Sequence, residues 1–209
     1  GIGTRTFAEI GVGSGLECNT AYLLTQGWSG LWIDTELADL SRLSPTIRRL
    51  VKQGTLKTCG QFVTAENIAG LLQNAGVSRE FDLLSVDVDL NTYWVWEALE
   101  AFKPRLVVIE YNASFPPDHS WKAVYNPQGI WNNTNYFGAS LKALEELGRR
   151  MGYALVGCET MGSNAFFVRS DLAVGRFAEP FIAENHYEPP RYFLRRTVGQ
   201  PRSLILWQF

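Results

Sequence analysis

The sequence predicts an α/β protein: a three-layer α/β/α sandwich on a sheet of mostly parallel strands, closed by a terminal antiparallel hairpin. Three observations predict it. An apolar run, Thr6-Phe7-Ala8-Glu9-Ile10, passes into glycines at alternate positions (Gly11, Gly13 and Gly15) and then into a helical pattern over 17–26. Further short apolar runs alternate with helical patterns, and several end in an acid: Ile33-Asp34, Val86-Asp87-Val88-Asp89 and Ile109-Glu110. Last, strand-like runs at 153–158 and 165–169 are joined by a short turn around Gly162-Ser163-Asn164. Strand, glycine turn and helix make the entry unit of a nucleotide-type site, because glycine allows a sharp turn and lets a ligand approach the backbone.

The elements follow in order. Ala21-Tyr22-Leu23-Leu24 supplies the buried face of the first helix, and Gly27 and Gly30 end it. Leu31-Trp32-Ile33 is a second strand. Ligands in parallel sheets sit beyond the carboxyl ends of the strands, so Asp34, or Glu36 after it, is placed to accept hydrogen bonds from a ribose diol; capping of the next helix is the alternative. Ser44-Pro45 opens a helix over 46–53 whose Arg48, Arg49 and Lys52 form a solvated face. A third strand is expected over 56–63, interrupted by Gly60 and Gln61, and it crosses into a helix that runs through Leu72. The fourth strand spans 81–89, with Asp87 and Asp89 two residues apart, and a helix follows over 94–102. Leu106-Val107-Val108-Ile109 reads as a central strand covered on both faces, followed by Glu110, Tyr111 and Asn112.

A stretch over 113–135, rich in Pro, Asn and aromatics, has no clear period, and a loop this long is usually functional or mobile. Its Trp121, Tyr125 and Trp131, with Tyr136 and Phe137 just after it, are candidates for a stacking wall, or else core. Asn132, Asn133 and Asn135 either bond hydroxyls or shape turns. A helix is expected over 136–151. Residues 1–170 form the expected catalytic domain. Residues 171–209 are a C-terminal extension strapped across it, or a homodimer contact; they carry Arg191, Arg195, Arg196 and Arg202 and an apolar end, Leu204-Ile205-Leu206-Trp207.

Composition narrows the class. A net charge of -2 with no basic stripe argues against a nucleic-acid binder. Cys18, Cys59 and Cys158 are far apart and odd in number, which fits reduced thiols in a cytoplasmic protein. No apolar window is long enough to span a membrane. No signal peptide is visible, and the chain starts without Met close to its first strand, which leaves room for a segment ahead of it.

Glu9-x-Gly11-x-Gly13-x-Gly15 differs from the dinucleotide fingerprint G-x-G-x-x-G and resembles motif I of class I S-adenosylmethionine (SAM) dependent methyltransferases. That resemblance implies a Rossmann-like methyltransferase sheet, whose last strand inserts antiparallel, and a loop that passes the methionine end of SAM, with Glu9 orienting loop and ligand. It also implies that Glu66 or Asn67 lies beside the adenine. The acids at the ends of the fourth and fifth strands are similar to those of cation-dependent O-methyltransferases. On that likeness Asp87, Asp89, Glu110 and Asn112 would hold Mg²⁺, Asn112 standing one residue later than that family's amide. That family's catalytic lysine is absent, the position being Leu90. A wider resemblance covers about residues 5 to 170. Asp87-Val88-Asp89-Leu90, a helix, Pro104 and the strand ending in Glu110, then Asn164-Ala165-Phe166-Phe167-Val168, are similar to FkbM-type methyltransferases, except that Leu90 replaces the usual glycine.

These readings together predict methyl transfer from SAM to a hydroxyl of a sugar, glycan or small natural product. The cofactor-binding set is Glu9, Gly11, Gly13, Gly15, Asp34, Glu66 and Asp87. With a metal, the acceptor hydroxyl is activated by the cation. Without one, Asp89 or His119 takes its proton. A nicotinamide-dependent oxidoreductase and a catalytically silent SAM-binding relative are the alternatives.

Overall fold

The computed structural model describes residues 3–15 and 18–191. Seven strands form one sheet: β1 (Thr6–Ile10), β2 (Ser29–Ile33), β3 (Leu56–Cys59), β4 (Leu83–Val86), β5 (Leu106–Glu110), β6 (Tyr153–Cys158) and β7 (Asn164–Arg169). Their order is β3-β2-β1-β4-β5-β7-β6. The first five are parallel, and β7 inserts antiparallel between β5 and β6. This is the Rossmann-like methyltransferase arrangement that the sequence predicts.

The helices are α1 (Ala21–Thr25), α2 (Pro45–Lys52), α3 (Ile68–Asn74), α4 (Thr92–Glu97), α5 (Leu141–Met151), α6 (Ser170–Ala173) and α7 (Ala183–His186). Side chains alternate across each strand, so successive residues feed different layers. Ala8, Ile10, Leu84, Val86, Val107, Ile109 and Phe167 face α3, α4 and α5, where they meet Ile68, Leu72, Trp96, Leu99 and Leu144. Phe7, Trp32, Leu56, Leu83 and Val108 belong to the opposite layer, with Leu24 and Leu43. Right-handed crossovers from β3 to β4 to β5 carry α3 and α4 onto the first face. Over β4, β5 and β7 on the second face lies a cavity of about 600 Å³ lined by Trp28, Leu83, Leu106, Phe166, Val168 and Phe177.

Several elements are shorter than their periodicity suggests, each for a local reason. β3 stops at Cys59, because Gly60 lies against the backbone of Ala38: a Cβ there would stand 2.5 Å from the Ala38 nitrogen. The fourth strand ends at Val86, and Asp89 adopts φ 53, a left-handed conformation that breaks the ladder. α5 begins only after Ser140, whose hydroxyl accepts from the Ala143 N–H. Residues 136–139 are instead held by Asn112 and by the Ala123–Gly138 backbone bond.

Described residues after 170 bond back to residues before it. The Ala183 N–H donates to Glu145 Oε2, and the Tyr187 hydroxyl donates to the Ala113 carbonyl. The basic and apolar end expected over 192–209 lies outside the described residues, as does Glu17 of the first helix. Cys18, Cys59 and Cys158 are unpaired. Among the described residues no helix is long and apolar enough to cross a membrane.

Candidate active site at the carboxyl ends of β1, β2, β4 and β5

The glycine loop follows β1 and is pinned to both neighbouring strands. The Gly11 N–H donates to the Ile33 carbonyl (2.9 Å), and the Asp87 N–H donates to the Ile10 carbonyl (3.0 Å). Gly11 has φ +83, and a Cβ there would stand 1.5 Å from the Asp87 carbonyl oxygen. Only glycine fits between the ends of β1 and β4. Gly13 is different. Its φ is also positive, but among the described residues no atom lies within 4 Å of where its Cβ would be, so on that side its backbone is open. Its N–H donates to Asp34 Oδ2 (2.8 Å), and Asp34 Oδ1 accepts from the Glu36 N–H (2.9 Å). Asp34 thus ties the loop to the end of β2 and also caps the following turn, the capping role being the alternative that the sequence offered for it.

Glu9 sits beneath this loop and is 2% exposed. Its oxygens accept from the Asn19 N–H (2.7 Å), the Thr20 N–H (3.0 Å), the Thr20 hydroxyl and Ser85 Oγ (3.3 Å). The Thr20 hydroxyl in turn accepts from Trp32 Nε1 (2.8 Å). Burial pushes the Glu9 carboxyl up, and these hydrogen bonds oppose it. The side chain therefore holds the chain entering α1 against β1, and its partners all belong to the protein.

Asp87 and Glu110 meet at the ends of β4 and β5. The two carboxyls interact, and Glu110 Oε2 is buried without a hydrogen-bond partner. Burial, then the Asp89 charge, raises Asp87 to about 6; burial, then the Asp87 charge, raises Glu110 well above the usual range. Asp89 turns outward and is exposed, raised by partial burial and by the charge of Asp34. Asp34, Asp87, Asp89 and Glu110 thus lie near one another at the carboxyl ends of the strands. None of them takes part in an ion pair of the described residues.

The expected metal set does not assemble. Asn112 is fully buried and turned into the long loop: its Nδ2 donates to the carbonyls of Asn135 (2.8 Å) and Phe137 (3.0 Å), and its Oδ1 accepts from the Ser114 N–H. Among the described residues, no three His, Cys, Asp or Glu side chains are disposed to hold a metal ion. Asn112 is thus engaged with the loop, and Asp87, Asp89 and Glu110 are the carboxylates left of the expected set.

His119 also stands apart from the acids. Its exposed ring stacks on Phe115 (centroids 5.7 Å apart), which stacks in turn on Trp121. No hydrogen bond among the described residues joins His119 to Asp87, Asp89 or Glu110. The five aromatics expected as one wall divide into three groups. Trp121 meets Tyr136, Trp131 meets Phe137 at 6.1 Å, and Tyr125 tilts against Trp94. Asn132 serves its own turn by accepting from Thr134.

Leu90, Asn91 and Tyr125 organise the loop through contacts distant in sequence. Leu90 is buried against Gly129. Asn91 exchanges two hydrogen bonds with the Asn126 backbone (2.8 and 3.3 Å). The Tyr125 hydroxyl donates to Glu66 Oε2 (2.5 Å) and accepts from the Ala65 N–H (3.1 Å). Asn67 is a local clip: its Oδ1 accepts from the Thr64 N–H, and its Nδ2 donates to the Phe62 carbonyl. Of the two residues expected beside an adenine, only Glu66 thus keeps an exposed side chain for a ligand.

No family model matches the chain, and no curated protein matches it. Solved structures do. One is an O-methyltransferase family protein from Burkholderia thailandensis, 16% identical over 78% of this chain and 50% of that one (TM-score 0.45). Another is MycE methyltransferase from the mycinamycin biosynthetic pathway, in complex with Mg, SAH and mycinamycin VI: 20% identical over 84% of this chain and 47% of that one (TM-score 0.45). A third is the pyocyanin biosynthetic protein PhzM, 13% identical over 79% and 50% (TM-score 0.46). The chain spans about half the length of these proteins.

Proposed function

We propose that the protein is a SAM-dependent methyltransferase that methylates a hydroxyl of a sugar or small natural product. The observation that carries this reading is the glycine loop. Gly13 presents bare backbone to open space beside Asp34, in a crevice bordered by carboxylates without ion-pair partners. Such a crevice favours a cationic ligand and repels a pyrophosphate, which favours SAM over a nicotinamide dinucleotide. The chain's residues suit the parts of SAM in turn. Asp34 offers acceptor oxygens to a ribose diol, Glu66 offers one to the adenine amino group, and Asp87 with Glu110 supplies negative potential toward the sulfonium and ammonium. Glu9 acts indirectly, by holding the loop.

SAM when bound supplies an activated methyl group, so the protein's task is alignment and removal of one proton. Asp89 is the exposed carboxylate at the mouth, and its raised affinity for a proton suits it to take one from an acceptor hydroxyl. His119 is the second candidate of the sequence, although its ring is committed to Phe115.

Calorimetric titration with S-adenosylhomocysteine (SAH) in the presence of chelator tests the first step. Binding at a roughly micromolar Kd is expected. Asp34→Ala, which frees both the loop N–H and the cap, should weaken it about tenfold. No binding to folded protein would overturn the reading. Once an acceptor is found, Asp89→Asn should slow turnover about a hundredfold with cofactor affinity kept, while His119→Ala stays near the parent rate. The reverse pattern would move the proton to His119. SAM that binds and is never consumed across a broad acceptor panel would point to the silent relative.

A further inference from the structure

The loop over 113–139 leaves β5 and returns to α5, and along the way it is fastened to three separate turns. Asn112 holds its return limb. The turn after β4 holds its middle, through Leu90 on Gly129, Asn91 on Asn126 and Trp94 Nε1 on the Ala123 carbonyl (2.9 Å). The third attachment is Tyr125. Its ring leans on Trp94 (centroids 5.8 Å apart), and its hydroxyl reaches across the crevice to the turn between β3 and α3, where it bridges the Ala65 N–H and the Glu66 carboxylate. Loop residues also border Asp89, since Gly138 packs beside the Asp89 carbonyl. One segment therefore touches both the adenine side of the crevice and its acceptor side.

We propose that Tyr125 is a positioning residue for the cofactor: it orients Glu66 for the adenine amino group and so couples cofactor binding to seating of the acceptor loop. This rests on the SAM reading and on Glu66 facing the adenine. A free surface glutamate samples many rotamers, and ordering it costs side-chain entropy. Here the Tyr125 hydroxyl, with help from Thr64, has already fixed the carboxylate. A carboxylate accepts about four hydrogen bonds, so these two leave capacity for a ligand. A cofactor lying over this turn would in turn exclude water from the Tyr125–Glu66 bond and strengthen it. Coupling of this kind is reciprocal: whatever factor the seated loop adds to cofactor affinity, the cofactor adds to loop seating. The order of events follows. Cofactor binds first and fixes the loop, and the acceptor then meets a formed surface beside Asp89.

The test uses the full chain, SAH and two readouts, calorimetric affinity and hydrogen exchange over 123–130. Tyr125→Phe keeps the ring on Trp94 and removes only the hydroxyl. It is expected to weaken SAH binding about fivefold, the range of a charge-assisted hydrogen bond at an exposed site. Glu66→Ala should weaken binding at least as much, and the double variant no more than Glu66→Ala alone, because Tyr125 acts through Glu66. Glu66→Gln, which keeps an acceptor oxygen, should restore part of the loss. SAH should slow exchange over 123–130 in the parent and not in Tyr125→Phe. A merely structural tyrosine would lower thermal stability without these couplings. If the parent binds SAH and Tyr125→Phe binds it equally well, or if the two losses add, the inference is overturned while the methyltransferase reading stands. If the parent does not bind SAH, both fall together.

Discussion

Gly11→Ala is expected to cost at least about 3 kcal/mol of stability and to abolish SAH binding, whereas Gly13→Ala should fold and lose binding alone. The two residues lie in one loop, and both have positive φ. At Gly11 an added Cβ would stand 1.5 Å from the Asp87 carbonyl oxygen. That oxygen cannot retreat cheaply, because the Asp87 N–H is bonded to the Ile10 carbonyl and the Gly11 N–H to the Ile33 carbonyl. Relief requires β1 to part from β4 at the centre of the sheet. At Gly13 the same methyl would meet nothing within 4 Å, so the penalty reduces to left-handed strain of about 1–2 kcal/mol. The methyl would project into the space that the cofactor is proposed to enter. Urea denaturation and SAH calorimetry on both variants separate the two effects. A Gly13→Ala protein that binds SAH as the parent does would show that the loop's open side is not the ligand side.

The same loop shows what could be read from the chain. Glycines at alternate positions after an apolar run state that the backbone must turn sharply, and their spacing is legible because backbone sterics are local. The central strands were legible for a similar reason: Leu106 to Ile109 has no polar residue that could tolerate exposure on either face. The antiparallel hairpin at 153–169 was also legible, as two β-rich runs around Gly162. Side-chain destinations were harder. Asn112 and Glu110 look equivalent as oxygen ligands, two residues apart on one face of a strand, yet β5 stops at Glu110, and Asn112 was drawn to the carbonyls of Asn135 and Phe137. Glu9 and Asp34 both read as acids beside a glycine loop. Only the fold reveals that Glu9 lies under it with every partner internal, while Asp34 lies at its open side. Tyr125 read only as one aromatic of a candidate wall, and its bond to Glu66 was hidden because that partner lies 59 residues away.

Asp87→Asn should make the apo-protein more stable than the parent at neutral pH while weakening its hold on SAM. Burial, and then the charge of Asp89, raises the Asp87 carboxyl from 3.8 to about 6. An acid whose folded value lies above its unfolded value binds its proton more tightly when folded. Its contribution is therefore fully present below about pH 3.8, is lost as pH rises through about 6, and is absent above that. The interval corresponds to about 3 kcal/mol at most. Glu110, raised by burial and by the Asp87 charge, has the same sign and extends the loss toward higher pH. Asparagine carries no charge at any pH, so the stability of the variant relative to the parent should grow by about 2 kcal/mol between pH 4 and pH 7, read from urea denaturation at each pH. A constant difference would mean that the pair is not strained by ionisation. Cofactor binding should run in the opposite direction. As the pair ionises it presents negative charge to a cationic ligand, so the parent's SAM affinity rises with pH through about 6, and SAH, which lacks the sulfonium charge, rises less. In Asp87→Asn the excess pH dependence of SAM over SAH should shrink. A shared buried carboxyl that destabilises the empty protein and stabilises the loaded one is the expected behaviour of a site preorganised for charge: the cost of ionising Asp87 and Glu110 without a counterion is offset only when the sulfonium arrives.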